Sequence, residues 1–473
     1  MAKILMVSAE ASPFAKTGGL GDVLGALPAA LVQAGEEVSV VLPLYRAAAV
    51  SDARSVYDGL QFALGPHAYS ANILEQLSNG VRYFFVQIPE LYDRDGLYDE
   101  HGREYPDNHL RFAALCKAAL GIARFLFTAQ IIHGHDWQAA LLPMLLKDTF
   151  RYHPAYLGIQ TVLTIHNLGY QGLFPRTALA DLGLPDRLFR PDLVEFHGQV
   201  NVLKGGLISS DILTTVSPRY AQEIQTAPFG FGLHDLLRSR SAVLTGILNG
   251  ADYSLWDPAT DPHIAQNFDL SNLDGKRACK RALLAEMGLP DDRSEKPLVG
   301  LISRLADQKG FDLLMQVPHE LAAEDISLVV LGSGEQRFED FFRWLASEYP
   351  TRVAVSLGYE EGLAHRIEAG ADLFLMPSRY EPCGLNQIYS MRYGTLPLVH
   401  ATGGLDDTVD AQTGFKFKNE NSDDLLGCIR TALGVYGTDQ WTEMMRTAMQ
   451  RNFSWDVSAA EYARLYRRLA PDS

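Results

Sequence analysis

Short apolar runs, each closed by a polar or glycine-bearing loop and then a helix-like stretch, recur along this chain and limit what it can fold into. In the first half the runs are Ile4 to Val7, Val38 to Pro43, Arg82 to Gln87, Ile131 to His135, Thr161 to His166 and Ile212 to Val216. In the second half they are Leu298 to Ile302, Ser327 to Leu331, Val353 to Ser356, Leu373 to Met376 and Leu396 to Val399. Runs this short, without a polar face, read as strands of a parallel sheet covered by helices on both sides. Their alternation with helix-like stretches, in two halves, predicts an α/β chain of two doubly wound domains. Asn249-Gly250 marks a tight turn between the halves.

The loops after these strands carry the chemistry. Lys16-Thr17-Gly18-Gly19-Leu20 follows the first run and precedes a helix-like stretch from Asp22 to Leu31. A glycine pair lets backbone approach a ligand closely, a helix start offers free N–H groups, and Lys16 adds a positive charge, which together suit an anion. Arg304 and Lys309 follow the run ending at Ile302, and Glu381-Pro382-Cys383-Gly384-Leu385-Asn386 follows the run ending at Met376. In open parallel sheets ligands bind at the carboxyl ends of the strands. Cations and a carboxylate there suit a diphosphate attached to a hydroxyl-rich group.

Bulk properties bound this reading. With 473 residues, 47% hydrophobic and 21% charged, the chain is an ordinary globular protein with room for two or three domains. A formal net charge of −16 argues against nucleic acid or an anionic membrane as partner, and requires a locally basic site for an anionic ligand. No apolar run is long enough to span a bilayer, and the N-terminal run is too short for a signal peptide, so a cytoplasmic protein with no membrane partner is expected. The four cysteines, Cys116, Cys279, Cys383 and Cys428, are far apart and form no Cys-x-x-Cys pair. Cys383 reads as a small residue in a tight turn rather than as a nucleophile.

Taken in order, Lys16 to Leu20, His135-Asp136-Trp137, Thr164 to Gly172, Leu248 to Asp252, Ser303 to Gly310, Ser378 to Leu385 and Ala401 to Leu405 resemble the bacterial glycogen synthases and the related plant starch synthases. The resemblance spans nearly the whole chain. It implies GT-B architecture: a Rossmann-like domain over residues 1–245, a hinge over 246–256, and a second Rossmann-like domain over 257–455. Residues 456–473 would then form a helix that returns to the first domain, with Ala460, Tyr462, Leu465 and Leu469 at helical spacing.

The same resemblance implies a glucosyltransferase that moves glucose from ADP-glucose to glycogen or a malto-oligosaccharide, retaining anomeric configuration. Lys16, His166, Arg304, Lys309 and Glu381 would form the catalytic set. Arg304 and Lys309 would neutralise the departing diphosphate, and Glu381 would hold the donor glucose. Gly18, Gly19, Asp136, Trp137, Asn167, Asn249, Tyr359, Cys383, Gly384, Leu385 and Asn386 would bind substrate, with Tyr359 stacking on the base. Trp137 either packs on a sugar face or is a core tryptophan beside a turn. Gln138 departs from the histidine of many relatives, and Asn386 from the threonine of some bacterial members, though starch synthases often have asparagine there. Asp93-Arg94-Asp95 matches a metal-binding pattern of another architecture but reads as a surface loop, so no metal or other cofactor is expected. With no positioned nucleophile, reaction on one face of the sugar is favoured. A sugar-nucleotide epimerase and a silent glucan-binding protein are the rival readings.

Overall fold

The computed structural model describes residues 1–48, 50–100 and 102–470. It divides into two compact units: Met1–Gly250 together with the stretch beginning at Trp455, and Ala251–Ser454. Residues 471–473 of the C-terminal segment named above lie outside the described residues.

The first unit is built on a nine-stranded sheet. Strand β1 (Lys3–Val7) feeds helix α1 (Gly19–Gln33), which returns to β2 (Glu37–Pro43). Then come β3 (Arg54–Leu64), β4 (His67–Ser78), β5 (Val81–Gln87), helix α2 (Asn108–Phe125), β6 (Ile131–His135), β7 (Gln160–Ile165), β8 (Ile212–Thr215) and β9 (Leu244–Gly246). The spatial order is β9-β8-β7-β6-β1-β2-β5-β4-β3. All neighbours are parallel except β3 with β4 and β4 with β5. β1 lies between β2 and β6, so the chain winds outward in both directions from the line where β1 meets β6. That line is the topological switch point, where the loops after the two strands diverge and leave a crevice. The loop after β1 carries Lys16, and the one after β6 carries Asp136.

The second unit holds a six-stranded, wholly parallel sheet. Its strands are β10 (Leu298–Ile302), β11 (Ser327–Gly332), β12 (Val353–Leu357), β13 (Leu373–Met376), β14 (Leu396–His400) and β15 (Phe415–Phe417), in the order β12-β11-β10-β13-β14-β15. Here the winding reverses between β10 and β13. The loop after β10 carries Arg304 and Lys309, and the loop after β13 carries Glu381 before helix α3 (Asn386–Arg392). The four inner strands β11, β10, β13 and β14 are buried almost throughout, as continuous apolar runs require, while the edge strands β12 and β15 are partly exposed.

The last helix, α4 (Trp455–Leu469), belongs to the first unit. Trp455, Ala459, Tyr462, Ala463, Leu465 and Tyr466 join the apolar core under α1. Ala460, placed on the buried stripe by spacing alone, faces solvent, and Ala459 and Ala463 take its place. Two side-chain anchors fix the helix: Ser458 Oγ donates to the Leu248 carbonyl at 2.6 Å, and Arg467 pairs with buried Glu36 at 2.9 Å. Among the described residues, no helix is long and apolar enough to cross a membrane.

Candidate functional site

In the first unit the loop after β1 is held from beneath by Glu10. Its buried carboxylate accepts the Thr17 N–H at 2.6 Å, the Thr17 hydroxyl at 2.7 Å, the Gly18 N–H at 3.2 Å and the Tyr98 hydroxyl at 2.6 Å. Lys16 Nζ pairs with Asp22 Oδ1 at 2.6 Å, across the first turn of α1. The glycines of this stretch divide into two kinds. A Cβ on Gly21 would lie 2.9 Å from Lys16 Cγ, and one on Gly25 would lie 2.9 Å from Ser12, so internal packing explains both. A Cβ on Gly18 or Gly19 would meet nothing within 4 Å. Their smallness serves no packing within the chain, which is what a loop that admits a ligand against its backbone requires.

At the ends of β6 and β7 two consecutive residues take hold of His166. Asp136 adopts the left-handed backbone region, with φ 55°, uncommon outside glycine. Its Oδ1 accepts the His166 N–H at 2.7 Å and, at greater length, the Asn167 N–H at 3.4 Å. Burial raises its carboxyl from 3.8 to about 7. His135 Nδ1 lies 2.9 Å from His166 Nε2. His166 is pushed down to about 3 by burial, so both imidazoles are neutral at physiological pH. Asn167 Oδ1 accepts the Gly169 N–H at 3.0 Å, closing the loop on itself. Trp137 packs on Phe112 and Phe174, with ring centroids 5.0 and 5.5 Å away. A Cβ on Gly172 would come within 2.5 Å of the tryptophan ring. Trp137 is half-buried, so this packing leaves part of the ring exposed.

In the second unit the loop carrying Arg304 and Lys309 is pinned from two sides. On one side Leu305 N–H donates to the Ser333 carbonyl at 2.8 Å, and glycine is needed at 332 because a Cβ there would sit 2.0 Å from the Ser303 carbonyl. On the other, Arg379 N–H donates to the Gln308 carbonyl at 2.9 Å and Gln308 Nε2 to the Tyr380 carbonyl at 3.1 Å. Gly310 has φ 70° and lies so close to Pro377 that a Cβ would approach its carbonyl to 2.1 Å. This zipper brings Lys309 Nζ to 2.6 Å from Glu381 Oε2, which also accepts the Ser378 hydroxyl at 3.0 Å. His400 Nδ1–H donates to the Ser378 carbonyl at 2.8 Å. Gly403 and Gly404 pass beneath the Glu381 loop, and Cβ atoms there would reach the Glu381 and Cys383 carbonyls at 1.9 and 2.1 Å.

The remaining residues named from the sequence are placed as follows. Arg304 is exposed at the end of β10. Cys383 is buried in the turn after Glu381, beside Gly384 with φ 72°. Asn386 donates from Nδ2 to the Ile302 carbonyl at 2.9 Å, so its side chain ties α3 to β10. Leu385 packs against the core of the second unit. Tyr359 is 73% exposed beyond β12, the edge strand, two strands from the switch point. Asn249 is buried next to the unit boundary, and its Oδ1 has no hydrogen-bond partner among the described residues. Glu10, Tyr98, His135, Ser378 and His400 are absent from the sequence-derived set. Each holds a neighbour, and although His135 and Ser378 lie within matched stretches, no local spacing signals which partner each one holds.

Asp93 and Asp95 are both taken by Arg46, at 2.6 and 2.5 Å, and Arg94 by Asp107. Among the described residues, no group of three or more His, Cys, Asp or Glu is placed to hold a metal ion.

Comparison with known proteins gives a consistent result. Residues 3–239 match the starch synthase catalytic domain, and residues 290–437 match the glycosyl transferases of group 1. A glycogen synthase of Koribacter versatilis is 47% identical over 98% of both chains. One from Anaeromyxobacter dehalogenans is 48% identical over 99% of both. Among solved structures, the catalytic domain of starch synthase IV from Arabidopsis thaliana bound to ADP and acarbose matches with a TM-score of 0.90 and 34% identity, covering 99% of each chain. A sucrose-phosphate synthase from Thermosynechococcus elongatus, 19% identical with a TM-score of 0.63, shares the fold. With the mainly parallel sheet of the first unit and the wholly parallel sheet of the second, these likenesses make the architecture GT-B.

Proposed function

The chain belongs to the glycogen synthase family, and on that premise we propose that it transfers glucose from ADP-glucose to the non-reducing end of an α-1,4-glucan, with retention of configuration. The observation that carries the reading is the Lys309–Glu381 pair at the switch point of the second sheet, with Arg304 on the same loop. Arg304 and Lys309 bind the diphosphate and offset the charge that grows on it as the glycosidic bond breaks. Glu381, oriented by Lys309 and Ser378, holds the donor glucose and faces the positive charge that develops at its anomeric carbon. Lys16 and the open backbone of Gly18 and Gly19 take a further part of the donor. His166 and Asn167 hold sugar hydroxyls, with Asp136 fixing their backbone.

The ADP held by the Arabidopsis relative supports adenine as the base of the donor. Glu381 Oε2 is engaged by an ammonium and a hydroxyl, and Asp136 Oδ1 by backbone N–H groups. Carboxylates held this way support departure and attack on one face of the sugar over attack by a side chain. The Arg46 clasp on Asp93 and Asp95 supports a reaction without a metal, and chelation is expected to leave turnover unchanged. The four cysteines, all buried and in no disulfide among the described residues, suit the reducing cytoplasm.

The deciding assay is release of nucleoside diphosphate from ADP-glucose and from UDP-glucose, each with and without glycogen. Glycogen-dependent release of ADP is the expected result. Release that does not depend on glycogen, or none from folded protein, overturns the reading.

A further inference from the structure

His135 lies at the last position of β6, wholly buried, one residue before Asp136. Its ring stands between two others: the His133 centroid is 4.2 Å away and the His166 centroid 5.2 Å away. His133 has both nitrogens engaged, Nδ1 with the Tyr466 hydroxyl at 2.7 Å and Nε2 with the Thr164 hydroxyl at 2.6 Å. Thr164 in turn meets the Thr214 hydroxyl at 2.6 Å. His133 is thereby locked between β7 and α4, and gives His135 a fixed wall. His135 makes a single side-chain hydrogen bond, Nδ1 to His166 Nε2 at 2.9 Å, and its own Nε2 is buried without a partner among the described residues.

That orphan nitrogen decides which way the proton points. Each neutral imidazole carries one N–H. If His166 donated from Nε2, His135 would have to carry its proton on Nε2, burying an N–H with nothing to accept it. A buried N–H without a partner is the rarer and more costly arrangement. If His135 donates from Nδ1, the orphan is a bare ring nitrogen, and His166 Nε2 is the acceptor. His166 then carries its proton on Nδ1.

We propose that His135 is a positioning residue that sets the tautomer of His166, so that His166 presents Nδ1–H, and not Nε2–H, as the donor available to a sugar hydroxyl. With Asp136 on the His166 N–H, two adjacent residues at the end of β6 and just beyond it then control both the main chain and the ring of residue 166. This deepens the transferase reading and rests on it for the role of His166, but the tautomer itself is a property of the protein without substrate.

The test is 15N NMR of the full-length, histidine-labelled protein without ligand, with the His166 signals assigned by their loss in His166→Asn. Wild type is expected to show a protonated Nδ1 and an unprotonated Nε2 at His166. His135→Leu removes the donor, and is expected to mix the tautomers and to lower kcat about tenfold or more, the scale on which orienting partners act. His135→Asn places an amide N–H close to where Nδ1–H stood, and is expected to restore both the tautomer and most of the turnover. A protonated Nε2 at His166 in wild type, or in a folded His135→Asn protein, overturns the proposal. So does an unchanged tautomer in folded His135→Leu. If the tautomers behave as stated but no glucan-dependent ADP release is found, the transferase reading fails and the assignment of His166 stands.

Discussion

Glu381 and Lys309 restrain each other through a contact of 2.6 Å. An isolated carboxylate at a strand end would serve equally well as a helix cap. Glu381 instead directs one oxygen to an ammonium and a serine hydroxyl. Glu381→Gln keeps the shape and removes the charge. It is expected to lower kcat/KM for ADP-glucose by about a hundred- to a thousandfold, the range seen when one electrostatic partner of a transition state is lost. A change of less than about threefold would remove Glu381 from the catalytic set. Residue roles were only partly legible beforehand. Lys16, Arg304, Lys309 and Glu381 declare themselves as charges in strand-end loops. Asn386 sits in the same loop context, yet its amide is taken by the Ile302 carbonyl.

Loops fix what single residues cannot. In the β1–α1 connection the open glycines and the packed glycines predict opposite outcomes for the same substitution. Gly18 is extended, with φ −162°, so Gly18→Ala fits the backbone. It is expected to leave the unfolding midpoint unchanged while raising the KM for the donor. Gly21→Ala drives a Cβ into the Lys16 side chain, and should disturb the loop and lower the midpoint together. Equal effects of the two substitutions on stability would refute the distinction. Gly310→Ala meets both a left-handed φ and the Pro377 carbonyl. It should cost about 1–3 kcal/mol of stability and weaken donor binding, measurable by denaturation and by ADP titration. At this scale the sequence showed where loops begin, because glycine and charge punctuate strands. It did not show the β3–β4 hairpin. β3 is covered in patches and exposed along much of its length, so no continuous apolar run marks it.

At the scale of the molecule, α4 carries the chain from the second unit back into the core of the first. Removing the chain from Trp455 onward strips Trp455, Tyr462, Leu465 and Tyr466 from that core. Each large buried side chain is worth about 1.5–3 kcal/mol, so the first unit should lose most of its stability while the second keeps its own transition in calorimetry. A first unit that melts unchanged would show that α4 is dispensable. The same helix bears on pH through His133, which Tyr466 helps to enclose. Burial lowers His133 from 6.5 to about 3, so between those values the unfolded chain binds the proton and the folded chain does not. Stability contributed by this group is therefore complete above about pH 6.5 and is lost as pH falls toward 3. Urea titrations between pH 6 and 4.5 should show His133→Asn with a slope against pH smaller than wild type by about 1.4 kcal/mol per unit. Equal slopes would mean that His133 is already charged in the folded protein.

The sequence by itself determined the doubly wound character of both halves, and the loops in which the charges lie. Apolar runs, glycines and helix starts are local features, written within a few residues of one another. Only the tertiary structure decided that β1 lies beside β6 and β10 beside β13, since strand order is set by crossovers that no local spacing records. It likewise decided that Glu10 clasps the Lys16 loop from beneath, that Trp137 packs among aromatic rings, and that His135 holds His166. His135 and His166, 31 residues apart, meet because the parallel strands β6 and β7 bring their ends together.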